Sequence, residues 1–79
     1  MSMFERVKNV LVTNLQIDEK EIKPSSELVN DLGINSLELA DLVLTCEEEF
    51  NIEIDDSAYR TFVTVGDVVT YLESVVKDQ

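Results

Sequence analysis

The chain has 79 residues, no histidine, one cysteine and a formal net charge of −11. That length makes one small domain, burying about 60–65% of its unfolded surface. The composition excludes an intrachain disulfide, a Cys/His zinc cluster and any Ser–His or Cys–His nucleophilic pair, and the charge argues against nucleic acid and anionic membranes and for basic partners.

The first helix is predicted over residues 3–16. Ser2 and Glu5 have the spacing of a capping box, in which the serine caps the N3 amide and the glutamate reaches back. Phe4, Val7, Leu11 and Leu15 recur at helical spacing and should face the core. This amphipathic start is unlike a signal peptide. No run approaches the roughly 20 apolar residues of a membrane span, and a lone thiol fits a reducing compartment. The sequence reads as a soluble, cytoplasmic protein, with no stable membrane association and a charge that favours a monomer.

Residues 17–35 read as a long loop. Pro24-Ser25-Ser26 and Asn30-Asp31-Leu32-Gly33 are turn-type clusters. Ile17, Ile22, Leu28, Val29 and Leu32 are expected to pin the loop to the core, with room for a single helical turn. Loops of this length in a small domain are often functional.

The second helix is predicted over 36–50, with Asn35 as N-cap and Glu38 at N3. A short third helix is expected over 57–61, capped by Asp56. The last is expected over 65–77, capped by Thr64 with Asp67 at N3. Val65, Val68, Val69, Leu72, Val75 and Val76 form its apolar stripe. The fold class is all-α: a small four-helix bundle of three main helices and one short one, in a single domain over 1–79.

On a helical wheel, Leu39, Leu42, Val43, Cys46 and Phe50 gather on one side of the second helix and form its core stripe. Leu37, Ala40 and Leu44 lie opposite, interleaved with Asp41 and Glu48 and flanked by Glu38 and Glu47. Single exposed apolar residues are ordinary on protein surfaces. A line of them set among carboxylates also suits docking to a basic partner. The acids cluster here: between Lys23 and Arg60 there is no basic residue, while Glu27, Asp31, Glu38, Asp41, Glu47, Glu48, Glu49, Glu53, Asp55 and Asp56 fall in that interval. Such a run is either a solvated surface or a field used for steering, and its self-repulsion costs stability.

Ser36 stands in the first turn of this helix. Its simplest role, capping, is already filled by Asn35. It then projects from a helix N-terminus, where free amides and the dipole favour a negative group such as a phosphodiester.

The segment Asp31-Leu32-Gly33-Ile34-Asn35-Ser36-Leu37-Glu38 resembles the acyl carrier protein signature, usually Asp-Leu-Gly-x-Asp-Ser-Leu. The likeness continues through Glu47-Glu48-Glu49-Phe50, Ile52-Glu53-Ile54 and Thr64-Val65-Gly66-Asp67-Val68-Val69, and so covers nearly the whole chain. The resemblance implies that Ser36 carries 4′-phosphopantetheine, derived from coenzyme A, through a phosphodiester, and that the arm's thiol holds acyl groups as thioesters. It implies a carrier, not an enzyme, serving fatty acid biosynthesis. The implied partners are a phosphopantetheinyl transferase and acyl-transfer and synthase enzymes with basic docking patches. Leu37, Glu38, Ala40, Asp41, Leu44, Glu47 and Glu48 match the family's partner face. Asn35 stands where the family usually has Asp, which keeps the cap and removes a charge beside the serine. Leu39 and Cys46, less usual for the family, and Phe62 are candidates for shaping the acyl pocket. A specialised lipid or polyketide carrier is the alternative, and an amino-acid carrier fits less well because such domains are usually less acidic.

Other classes fit less well. Asn51-x-Glu53-x-Asp55 begins like an EF-hand loop, but the following residue is Asp56 rather than Gly and the twelfth position is Phe62 rather than Glu; no metal site is expected beyond weak cation screening. A helical adaptor without a prosthetic group would use the same face and have no need of Ser36. An enzyme would have only carboxylates and hydroxyls for acid–base work.

Overall fold

The computed structural model describes residues 2–76. Four helices run in order: α1 (Met3–Leu15), α2 (Ser36–Phe50), α3 (Asp56–Tyr59) and α4 (Val65–Val75). The long helix α1 packs against both α2 and α4. Local sequence sets where the three long helices start. Ser2/Glu5, Asn35/Glu38 and Thr64/Asp67 each form a reciprocal capping box, so each start satisfies two orphan amides from within. Gln16 and Asn51, both in the left-handed conformation, stop α1 and α2.

The core is contiguous. Helix α1 contributes Met3, Val7, Val10 and Leu11, and α2 contributes Leu42, Val43, Cys46 and Phe50. Helix α4 contributes Val65, Val68 and Leu72, while Phe62 enters just ahead of it. The stripe of α1 is therefore shifted from the expected one. Phe4 and Leu15 sit at its margin, half-buried, while Met3 and Val10 take the interior. Because α1 is covered by helices on two sides, its buried arc includes residues a single-stripe reading leaves out. On α4, Val69, Val75 and Val76 are likewise half-buried rather than interior, and α4 ends at Val75 with Val76 as C-cap. The expected extension to residue 77 lies outside the described residues.

The segment from Gln16 to Asn35 is tied down throughout. A single 3₁₀ turn, Glu19–Glu21, is capped by the Asp18 side chain. The Ser26 hydroxyl, buried, donates to the Glu21 carbonyl at 2.8 Å and accepts from the Lys23 amide at 3.0 Å. Residues 24–28 then pair with the approach to α4. Leu28 N–H donates to the Val63 carbonyl at 2.8 Å, Val65 N–H to Ser26 at 2.9 Å and Gly66 N–H to Pro24 at 2.8 Å. Ile22, Leu28 and Ile34 plug into the core, with Ile17 and Leu32 at its edge. Val29, expected as an anchor, is 58% exposed. Its neighbour Leu28 takes the inward position, while Val29 lies on the outer side of the turn that follows, over residues 28–32.

The third helix differs most from its expected form. It covers Asp56–Tyr59 rather than 57–61. Its N-cap is Asp55 rather than Asp56, and the cap makes no side-chain hydrogen bond. A helix this short is set by its connections, because one turn cannot offset the cost of its own nucleation.

Candidate functional site

The approach to α2 is a tight turn. Asp31 and Leu32 N–H both donate to the Glu27 carbonyl, and Ile34 N–H donates to that of Leu28 at 3.0 Å. Asp31 closes the turn from its side chain by accepting the Glu27 amide at 2.7 Å. Gly33 makes the exit with φ +69°, a left-handed value that glycine adopts without a Cβ penalty. The chain is thereby handed to α2 with Asn35 in capping position.

At the helix start the amides can be accounted for one by one. Asn35 N–H donates to Glu38 Oε1 at 3.0 Å, and Glu38 N–H donates to Asn35 Oδ1 at 2.8 Å. Leu39 N–H begins the helical ladder on the Asn35 carbonyl. The amides of Ser36 and Leu37 are left pointing out of the N-terminus, and among the described residues nothing accepts from them. Ser36 is exposed, and its hydroxyl makes no hydrogen bond to any described residue. The position offers a free nucleophilic oxygen beside two donors and the positive end of a 15-residue helix.

The outer face of α2 follows from its period. Leu37 is 82% exposed and Leu44 58%. They lie two turns apart, about 10 Å along the axis, with Ala40 half-buried between them. Of the acids, Asp41 and Glu48 are exposed and have no partner among the described residues. Glu38 and Glu47 are half-buried and already engaged. The first serves the cap; the second accepts the Ile54 amide on Oε2 at 2.7 Å. The Glu47 bond was not visible in the sequence, because it joins a helix to the loop beyond its end.

The inward side of α2 is apolar. Leu39 is half-buried against the core and Cys46 is buried. Burial, with Glu49 and Glu47 nearby, pushes the Cys46 thiol up to about 12, so it stays protonated at neutral pH and packs as a small apolar group. Phe62 is buried and meets Tyr71 edge-on with ring centres 5.6 Å apart. None of these three lines the surface groove of about 360 Å³ between α1 and α2, whose walls are formed by Val10 and Glu49 with Arg6, Asn9, Thr13, Asn14 and Thr45. In that groove Arg6 lies over the Phe50 ring at 4.5 Å and reaches Glu49 at 3.9 Å.

Residues 5–72 match the family model described as a phosphopantetheine attachment site. The chain belongs to the acyl carrier protein family. It is 45% identical to the acyl carrier protein of Wolinella succinogenes over 74 residues, which cover 94% of this chain and 97% of that one. It is 42% identical to that of Helicobacter pylori, over 92% of this chain and 94% of that one. It is also 42% identical to that of Campylobacter lari, over 98% of this chain and all of that one. Members of this family are carriers rather than enzymes, and their cofactor is covalent 4′-phosphopantetheine. The start of α2 suits such a group. A phosphodiester needs an accessible hydroxyl, donors for its oxygens and a positive field, and Ser36 with the two free amides supplies all three.

Proposed function

We propose that Ser36 is the attachment point of 4′-phosphopantetheine and that the chain carries acyl groups for fatty acid biosynthesis. The observation that carries this reading is the free Ser36 hydroxyl next to unpaired amides at the N-terminus of α2. When attached, the arm supplies a thiol that holds acyl groups as thioesters. The chain's own residues do the rest. The amides of Ser36 and Leu37 favour the phosphodiester's charge and orient the arm away from the helix. Leu37, Ala40 and Leu44 offer apolar contacts to a partner, while Glu38, Asp41, Glu47 and Glu48 draw in its basic patch. The partners are a phosphopantetheinyl transferase and the synthases and acyl transferases that load and unload the carrier. Steering by charge speeds encounter, and a modest face lets each partner leave quickly. Leu39, Cys46 and Phe62 supply apolar lining for a sheltered acyl chain, reached by movement within the bundle, since none of them lines the α1–α2 groove.

Asn35 favours a second reading. It preserves the capping box without a charge beside Ser36, which fits a carrier dedicated to a specialised lipid or polyketide pathway with its own transferase. The acyl groups found on the carrier isolated from cells separate the two pathways.

The test of attachment is intact mass after incubation with coenzyme A and a broad-specificity transferase. The wild-type chain should gain one phosphopantetheine and Ser36→Ala none, with unchanged helical circular dichroism. A gain in the folded variant would overturn the assignment.

A further inference from the structure

Glu47 holds the junction between α2 and α3 from both of its ends. Its backbone carbonyl accepts the amides of Asn51, which caps α2, and of Ile52 at 3.1 Å. Its carboxylate accepts the amide of Ile54 at 2.7 Å in a half-buried setting. Among the described residues, little else fixes this segment through hydrogen bonds. The Asp55 cap makes no side-chain bond, and α3 is a single turn. Ile52, Ile54 and Tyr59 are only partly buried against the core. Yet the same carboxylate stands on the flank of the outer face of α2, next to Glu48.

We infer that Glu47 is a positioning residue that couples occupancy of the α2 face to the order of residues 51–54. A hydrogen bond to a carboxylate is strong because the acceptor is charged. A cationic side chain seated against Glu47 draws on that charge and weakens the carboxylate as an acceptor for Ile54 N–H. Docking of a basic partner therefore loosens the α2–α3 junction without any direct contact to it. The inference rests on the reading of this face as the partner surface.

The two roles of Glu47 separate by substitution. Glu47→Gln keeps an acceptor oxygen for Ile54 and removes the charge. Glu47→Ala removes both. The readout is amide hydrogen exchange at Ile54 by NMR, with and without a short oligolysine peptide as the basic probe. Without peptide, Ile54 exchange should rise about tenfold in Glu47→Ala, as for loss of a charge-assisted hydrogen bond. In Glu47→Gln it should stay within about threefold of wild type. With peptide bound, Ile54 exchange should rise in the wild type and stay constant in Glu47→Gln, whose remaining carboxylates still bind the probe. A purely structural Glu47 would leave wild-type exchange unmoved by peptide, and that result overturns the coupling. Chemical-shift changes at Leu37, Asp41 and Glu48 report binding separately. If the peptide binds but moves none of these residues, the partner-face reading fails and takes the coupling with it.

Discussion

Ser36 and Asp67 both owe their behaviour to a helix N-terminus, with opposite outcomes. At Ser36 the amides have no acceptor among the described residues, and the proposed phosphodiester would meet them there. At Asp67 they are taken: the amides of Thr64 and Val63 each donate to its Oδ2 at 3.0 Å and hold its carboxyl below the ordinary value. A carboxyl depressed in the folded state stabilises the fold fully above its unfolded value of about 4, and that contribution is lost as the pH falls through the lower folded value. Thermal melts of the wild type and Asp67→Ala should thus differ most near neutral pH and converge below about pH 4. A gap that stays constant into acid would refute this. Ser36 stood out in the sequence because Asn35 already filled the capping role beside it and because the surrounding segment resembles the family signature; its proposed role is what the mass measurement tests. The engagement of Glu47 with Ile54 was not, because wheel geometry places a side chain on a face without revealing which loop returns to meet it.

The elements were legible in proportion to how local their causes are. Three capping boxes depend on residues three apart, and all three formed where spacing put them. The short helix α3 has no such signal, and its bounds shifted toward the N-terminus. The pairing of 24–28 with 63–66 is long-range and left only a faint trace in the Pro24-Ser25-Ser26 turn cluster. That pairing also explains Gly66. A Cβ there would stand 2.9 Å from the Pro24 carbonyl oxygen, which is backbone and cannot swing aside. Alanine is the better helix former by up to about 1 kcal/mol, but the clash should outweigh it. We expect Gly66→Ala to destabilise by about 1–3 kcal/mol in urea unfolding, and a stabilised variant would show that the loop yields instead. Leu28, buried in the same loop, makes the companion case: Leu28→Ala should cost about 2–5 kcal/mol.

For the molecule as a whole, charge sets the conditions. The described chain measures 28 × 27 × 20 Å, so at about 0.01 M salt, where the screening length is about 30 Å, every carboxylate feels the others. At about 0.15 M the length drops to about 8 Å and most of that repulsion vanishes. Salt also weakens ion pairs, but Lys8–Glu19 and Arg60–Asp56 span 3.4 and 3.8 Å, the first with one half-buried partner and the second exposed at both, and surface pairs contribute under about 1 kcal/mol. Repulsion should win, and the melting temperature should rise with salt over this range. A fall would mean that the ion pairs dominate. The acid run that imposes this cost is also the proposed docking field, and on the outer face of α2 Asp41 and Glu48 have no partner among the described residues.

The assignment of Ser36 can be tested at the level of one atom. No basic residue lies between Lys23 and Arg60, and trypsin passes over the Lys23–Pro24 bond, so digestion of the loaded carrier yields one long peptide over 21–60. Its hydroxyl side chains are Ser25, Ser26, Ser36, Thr45, Ser57 and Tyr59. Fragmentation that breaks the backbone and spares the phosphodiester locates the added mass. The expected result is the whole addition on Ser36. Phosphopantetheine on any of the other five, or on a different peptide, would contradict the account.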